Sequence, residues 1–187
     1  MDEEKIKQKY EIKIYKELPS THLYIKENQK NLKNYTIIIA DRQTAGIGTH
    51  GRSWYTGSGE NIAMSILYKP NCSIEKLKNL TLDIAKCIQE DIKELYNIDL
   101  TIKYPNDLLL NDKKICGILT EINTLSETTN YLIISLGFNV NEINFDEETK
   151  KIATSLKKEY KLNFDKEKIT FKIIENIDKI TELIWME

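Results

Sequence analysis

The sequence predicts an α+β fold: a mixed, mostly antiparallel sheet flanked by helices. Three observations carry this. Short β-branched runs recur without the strict strand–helix alternation of a parallel sheet. Turn signals at Pro105-Asn106 and Asn111-Asp112 join the middle strands as hairpins do. The stretch 73–96 repeats its apolar residues at helical spacing. With 187 residues, 41% of them hydrophobic, the chain is expected to form a single domain, 1–187. It can bury roughly 70% of the surface its unfolded form exposes.

The elements follow in order. Residues 11–17 (EIKIYKE) alternate polar and apolar and read as a strand that Pro19 ends. Ser20 or Thr21 then caps a helix through about Asn31. YTIIIAD (35–41) reads as a buried strand. In NIAMSILYKP (61–70) a strand puts Ile62, Met64, Ile66 and Tyr68 on one face and Ala63, Ser65 and Leu67 on the other. Ser73 caps a helix to Tyr96, carried by Ile74, Leu77, Leu80, Ile84, Ile88, Ile92 and Leu95. Strands follow at 100–104, 107–111, 114–122 and 130–140, and helices at about 147–159 and 166–185.

Composition excludes several classes of function. Lys+Arg 27 against Asp+Glu 29 leaves no basic excess for a broad nucleic-acid footprint. No run of about 18 apolar residues exists to span a membrane, and MDEEKIKQKY lacks the apolar core of a secretory signal. Cys72, Cys87 and Cys116 form no CxxC pair, so neither a disulfide framework nor a zinc site is expected. The reading is a reduced, cytoplasmic protein.

Rare residues mark where the chemistry lies. Both arginines (Arg42, Arg52), five of the seven glycines and His50 fall within DRQTAGIGTHGRSWYTGSGEN, residues 41–61. A strand running into Gly46-x-Gly48-x-x-Gly51-Arg52 resembles a phosphate cradle, since glycines let backbone N–H groups approach an anion and Arg clamps two oxygens. It is neither a P-loop nor a Rossmann fingerprint, because the order of residues and the following Trp54, turn and strand do not match. A plain surface hairpin stays open as the alternative. A second constellation is KYPND (103–107) followed by DKKICGIL (112–119). Pro105 stiffens the turn that projects Asn106 and Asp107, and Lys114 starts the next strand across from Asp107. A cation facing a carboxylate near an anion cradle suits a nucleotide–metal reaction centre; a solvated hairpin is the plain reading.

Together, in this order, the motifs resemble biotin protein ligase (biotin–[biotin carboxyl carrier protein] ligase). The counterparts are Ser20-Thr21-His22 for a Ser-Thr-Asn triplet, Gln43 to Trp54 for a Gly-Arg-rich loop, Lys103 to Asp107, Lys114 to Leu119, and Gly137-Phe138-Asn139, with Ala153-Thr154-Ser155-Leu156 near the domain end. The resemblance implies a class II synthetase-like biotin/lipoate ligase catalytic fold. It also implies a two-step reaction: biotin and ATP give biotinyl-5′-AMP with Mg²⁺ present, and a lysine of a biotin carboxyl carrier protein then takes the biotinyl group. Carried over residue by residue, it implies Lys114, Arg52 and Asp107 as catalytic. Ser20, Thr21, His22, Gln43, Gly46, Ile47, Gly48, Thr49, Lys114 and Gly117 are the implied biotin contacts, and Arg52, Trp54, Asn106, Asp107, Lys114 and Asn139 the implied ATP contacts. Asp107 is the implied magnesium ligand.

Departures from the family pattern carry expectations of their own. Ile47, Thr49 and His50 stand where the family usually has arginines, which implies weaker retention of biotinyl-5′-AMP and freer labelling of nearby lysines. His22 replaces Asn, leaving open a biotin contact or a mere helix cap. No helix-turn-helix precedes Ile12, so a repressor role is not expected. A chain that stops at Glu187 is either a minimal ligase or a shortened one, and monomer and homodimer both stay open. The competing readings are a lipoate–protein ligase and a degenerate protein that holds biotin without transferring it.

Overall fold

The computed structural model describes residues 3–54, 56, 57 and 59–186, and of His50 the backbone alone. Seven strands form one sheet in the order β1-β2-β3-β7-β6-β5-β4: β1 (Glu11–Leu18), β2 (Thr36–Gln43), β3 (Ile62–Tyr68), β4 (Thr101–Lys103), β5 (Asp107–Leu110), β6 (Lys113–Leu125) and β7 (Thr128–Phe138). Only β1 and β2 run parallel, joined through α2 (Thr21–Asn28); the other neighbours are antiparallel. The α+β expectation is met. Asn111 (φ 51°) and Asp112 (φ 62°) form the two-residue turn between β5 and β6; two left-handed residues match the twist of the flanking strands, and Asn and Asp tolerate that backbone.

The sheet has two unlike faces. On one, Ile62, Met64, Ile66 and Tyr68 of β3, Leu132, Ile134, Leu136 and Phe138 of β7, and Cys116 and Ile118 of β6 pack into one apolar cluster with α3 (Leu80–Tyr96) and α6 (Lys166–Met186). On the other, α2 covers a smaller cluster of Ile25, Leu32, Ile38, Leu67, Tyr131 and Ile133. Further along the same strands this second face carries small or polar residues: Ser65 on β3, Ser135 and Gly137 on β7, Gly117 and Glu121 on β6. Small side chains cannot fill the space above a sheet, so a cavity opens there.

Several elements differ from the sequence expectation. The helix expected at 73–96 breaks: Ser73 caps a short 3₁₀ turn, Ile74–Leu77, and α3 begins at Leu80. The backbone before the turn is pinned to the start of β7, where Thr129 N–H donates to Cys72 O (2.7 Å) and Ile74 N–H to Glu127 O (3.4 Å), so it cannot continue the axis of α3. The helix expected at 147–159 splits into α4 (Thr149–Ile152) and α5 (Leu156–Tyr160). Ala153 and Ser155 between them are extended, because Thr154 N–H donates to Lys114 O (3.0 Å) and Asn139 Nδ2 to Thr154 O (3.0 Å). These tertiary bonds override helix propensity. α2 stops at Asn28, whose Nδ2 donates to Tyr24 O (2.8 Å). At the N-terminus α1 (Glu3–Lys9), with acidic residues in its first turn and lysines in its last, buries one apolar residue, Ile6. Among the described residues no helix is long and apolar enough to cross a membrane.

Candidate active site

Ser20 caps α2, accepting from Leu23 N–H (3.4 Å), so the start of the helix is fixed over the small-residue face of the sheet. There Gln43, the last residue of β2, meets it: Gln43 Oε1 accepts from Thr21 N–H (2.8 Å) and lies 3.1 Å from Thr21 Oγ1, while its Nε2 donates to Thr56 Oγ1 (3.3 Å). The hydroxyls continue inward. Thr21 Oγ1 is 2.8 Å from Ser65 Oγ, Ser65 Oγ 2.8 Å from Ser135 Oγ, and Ser135 Oγ 2.8 Å from His22 Nδ1. His22 Nε2 is 3.1 Å from Glu121 Oε2, which also accepts from Lys26 Nζ (3.0 Å). Burial pushes the His22 imidazole below its usual range, against the opposing pull of Glu121 and with help from Lys26. Burial alone would raise the Glu121 carboxyl; its bonds from Lys26 and His22 outweigh that and hold it below the ordinary range. An ionised Glu121 beside a neutral His22 is therefore the resting state near neutral pH.

The opposite wall is the β5–β6 hairpin. Lys114 Nζ lies 2.7 Å from Asp107 Oδ1, and its main-chain O is held by Thr154 N–H, so the segment Ala153 to Leu156 fixes where the lysine starts. Asn106 is tied to β6 twice, accepting from Ile118 N–H (2.9 Å) and donating through Nδ2 to Ile118 O (3.1 Å). Between the walls Gly117 and Gly137 are direct partners across β6 and β7. The Trp54 indole lies over them: a Cβ added at Gly137 would sit 2.2 Å from Trp54 Cε2, and one at Gly117 3.0 Å from both Trp54 Cζ3 and Lys114 Nζ. Lys114 Nζ is 5.3 Å from the indole centroid.

The Gly-rich loop closes the top as a small hairpin. Trp54 N–H donates to Gly46 O (2.8 Å), Gly48 N–H to Arg52 O (2.6 Å), and Ile47 bridges Ser53. A side chain at Gly46 would meet Trp54 O at 2.6 Å, which is why only glycine fits this approach.

Ser20, Thr21, His22, Gln43, Ile47, Gly48, Thr49, Trp54, Asn106, Lys114 and Gly117 line one cavity. Asp107 joins them through Lys114, and Gly46 through the loop. Arg52 does not reach the lining; it is exposed and donates from Nε and Nη2 to Thr49 O and Oγ1 (both 3.3 Å). Asn139 is also apart: it accepts from Asn61 Nδ2 (3.0 Å) and donates to Thr154 O (3.0 Å), so its amide serves the scaffold. The side chain of His50 lies outside the described residues. Met64, Leu119, Ser135 and Gly137 line the cavity without having been singled out as site residues, and Ser65 and Glu121 support it from behind. The signal for most of them was present, in small or polar residues at every second position of otherwise β-branched strands.

The enclosed space is small, about 30 Å³, because the Trp54 indole fills it. The indole Nε1 is buried with no hydrogen-bond partner among the described residues, a donor left unsatisfied at a cost. Among the described residues no three His, Cys, Asp or Glu side chains gather to hold a metal ion. A Mg²⁺ carried on nucleotide phosphates needs only one or two protein carboxylates. Asp107 Oδ1, buried and outside hydrogen-bond geometry even toward Lys114, suits that limited role.

A lysine near the start of β6 paired with aspartate, a glycine floor, an aromatic lid and an amide–hydroxyl wall thus share one cavity on the α2 face of the sheet. The model of the biotin/lipoate A/B protein ligase family matches residues 14–139, and the chain belongs to that family. It is 40% identical over 128 residues to the bifunctional ligase/repressor BirA of Bacillus subtilis, covering 67% of this chain and 39% of that protein. It is 26% identical over 170 residues to BirA of Escherichia coli, covering 91% and 53%. The biotin protein ligase of Aquifex aeolicus, solved in complex with biotin and ATP, superposes with a TM-score of 0.81 at 28% identity, over 95% of this chain and 72% of that one. The chain thus spans about two-fifths to one-half of the length of these BirA proteins.

Proposed function

We propose that this chain activates biotin with ATP and passes it to a lysine of a biotin carboxyl carrier protein. The observation that carries this reading is that Lys114, paired with Asp107, and Gln43, paired with Thr21, face one cavity. A ligand there can have its polar ring held at one end and its carboxylate met by a cation at the other.

In the first step a carboxylate oxygen of biotin attacks the α-phosphorus of ATP, and the bond to the leaving pyrophosphate breaks. Lys114 sits where charge gathers on the carboxylate and α-phosphate oxygens, and Asp107 holds its ammonium in place. Asp107 would hold a Mg²⁺ brought in with the nucleotide, and that ion would supply neutralisation of phosphate charge. In the second step the amine of the carrier lysine attacks the acyl carbon, the bond to AMP breaks, and the amine gives up a proton. The 46–54 hairpin and Trp54 keep water from the anhydride in between. For biotin to enter, the indole must leave the glycine floor, which also frees its unsatisfied Nε1–H.

Biotin-dependent exchange of labelled pyrophosphate into ATP tests the reading. Exchange with biotin supports it. Exchange with lipoate alone makes the chain a lipoate ligase, and binding of biotin without exchange makes it a binding protein.

A further inference from the structure

The hydroxyl chain behind the cavity has a direction, and one residue sets it. An ionised Glu121 can only accept hydrogen bonds, so a neutral His22 must present its proton at Nε2, toward Glu121 Oε2 at 3.1 Å. Nδ1 is then a bare acceptor, and Ser135 Oγ, 2.8 Å away, must spend its only proton on it. Ser135 can accept only from Ser65, and Ser65 in turn accepts from Thr21, whose proton otherwise goes to Gln43 Oε1. Every hydroxyl proton thus points away from the ligand, and the oxygens left at the cavity are acceptors.

We infer that His22, oriented by Glu121, is a positioning residue: in its neutral Nε2–H form it makes this end of the cavity a row of hydrogen-bond acceptors, selecting ligands that offer ureido N–H donors. Protonation reverses the row. An imidazolium donates from Nδ1 to Ser135, which releases the serine proton toward Ser65 or the ligand, where it opposes a ligand N–H. The ureido ring as ligand rests on the function proposed above. The groups facing His22 are Glu121 from β6, Ser135 from β7 and Lys26 on its own helix, with Tyr131 of β7 acting on Lys26. Burial disfavours the imidazolium, so the neutral form prevails near pH 7 and gives way on acidification.

Two measurements on the whole chain test this. The ¹H–¹⁵N two-bond correlation spectrum of the ligand-free protein at about pH 7.5 should show His22 as the Nε2–H tautomer. The Nδ1–H tautomer, or an imidazolium, overturns the inference without any reference to biotin. Calorimetric titration with biotin between about pH 7.5 and about pH 5 should then show affinity falling about tenfold as His22 takes up its proton. His22→Asn, which cannot titrate, should flatten that profile. Glu121→Gln, which removes the anion favouring the imidazolium, should shift it to lower pH. A wild-type profile that is flat, or equally steep in His22→Asn, overturns the inference while biotin binding stands. Absence of biotin binding at every pH overturns the functional reading and this inference with it.

Discussion

The two faces of the sheet use the same three strands for opposite ends. Facing α3 and α6, alternate residues of β3, β6 and β7 are almost all branched or aromatic and close into a continuous core. Facing α2, the intervening positions shrink to Ser65, Ser135, Gly117 and Gly137, and the space is taken by Gln43, Thr21, Lys114 and the Trp54 indole. One face is stabilised by burying apolar area. The other gives up that burial for polar groups that must each find a partner; among the described residues Trp54 Nε1 has none, and Asp107 Oδ1 has only its ion pair with Lys114, outside hydrogen-bond geometry. Substitutions on the first face should therefore change stability, and those on the second should change chemistry.

The largest effect belongs to the site face. Lys114→Ala should cut biotin-dependent pyrophosphate exchange by about 10²–10³-fold, while chemical denaturation shows the fold retained. Loss of folding in that variant would erase the distinction between the faces. On the core face Ile134, 1% exposed, gives the converse: Ile134→Ala should lower unfolding stability by about 2–4 kcal/mol and leave the KM for biotin of the folded protein unchanged.

A smaller effect sharpens the core side. Asp91 of α3 is buried against α6, bonded by Asn176 Nδ2 at one oxygen and without a partner at the other among the described residues. Burial pushes its carboxyl up to about 7, against the pull of Asn176 and Lys172. The folded chain then holds a proton that the unfolded chain has released above about pH 4. Stability should thus be full below that value and decline as pH rises toward about 7. Asp91→Asn should remove the decline, a difference of about 1–2 kcal/mol in urea melts at neutral pH. The smallest effect lies in the loop: Thr49→Arg should slow release of biotinyl-5′-AMP several-fold, through one restored charge-assisted hydrogen bond, as read by the decay of enzyme-bound adenylate.

Much of this was legible in the sequence. Alternating and β-branched runs located the strands, Asn111-Asp112 their tight turn, and the rare residues the loop over the cavity. The motifs from Ser20 to Gly117 come together because they sit at one helix cap, at the end of β2 and at or near the starts of β5 and β6. What escaped the sequence depends on distant partners. Nothing local in residues 147–159 says that Lys114 and Asn139 will pull Thr154 out of a helix. Nor does the sequence reveal that Asn139 spends its amide on Asn61 and Thr154. α1 has one buried apolar residue, too few to form a period. Glu121 gains its meaning only when β6 lies under α2 and meets His22.

The central claim, that the α2 face is where biotin is bound and activated, is tested most directly by backbone amide NMR of the chain titrated with biotin. Shift changes should gather at Thr21, Gln43, Trp54, Gly117, Ser135 and Gly137 and be absent from α3 and α6. Changes centred on α3 and α6, or none at saturating biotin, would contradict it.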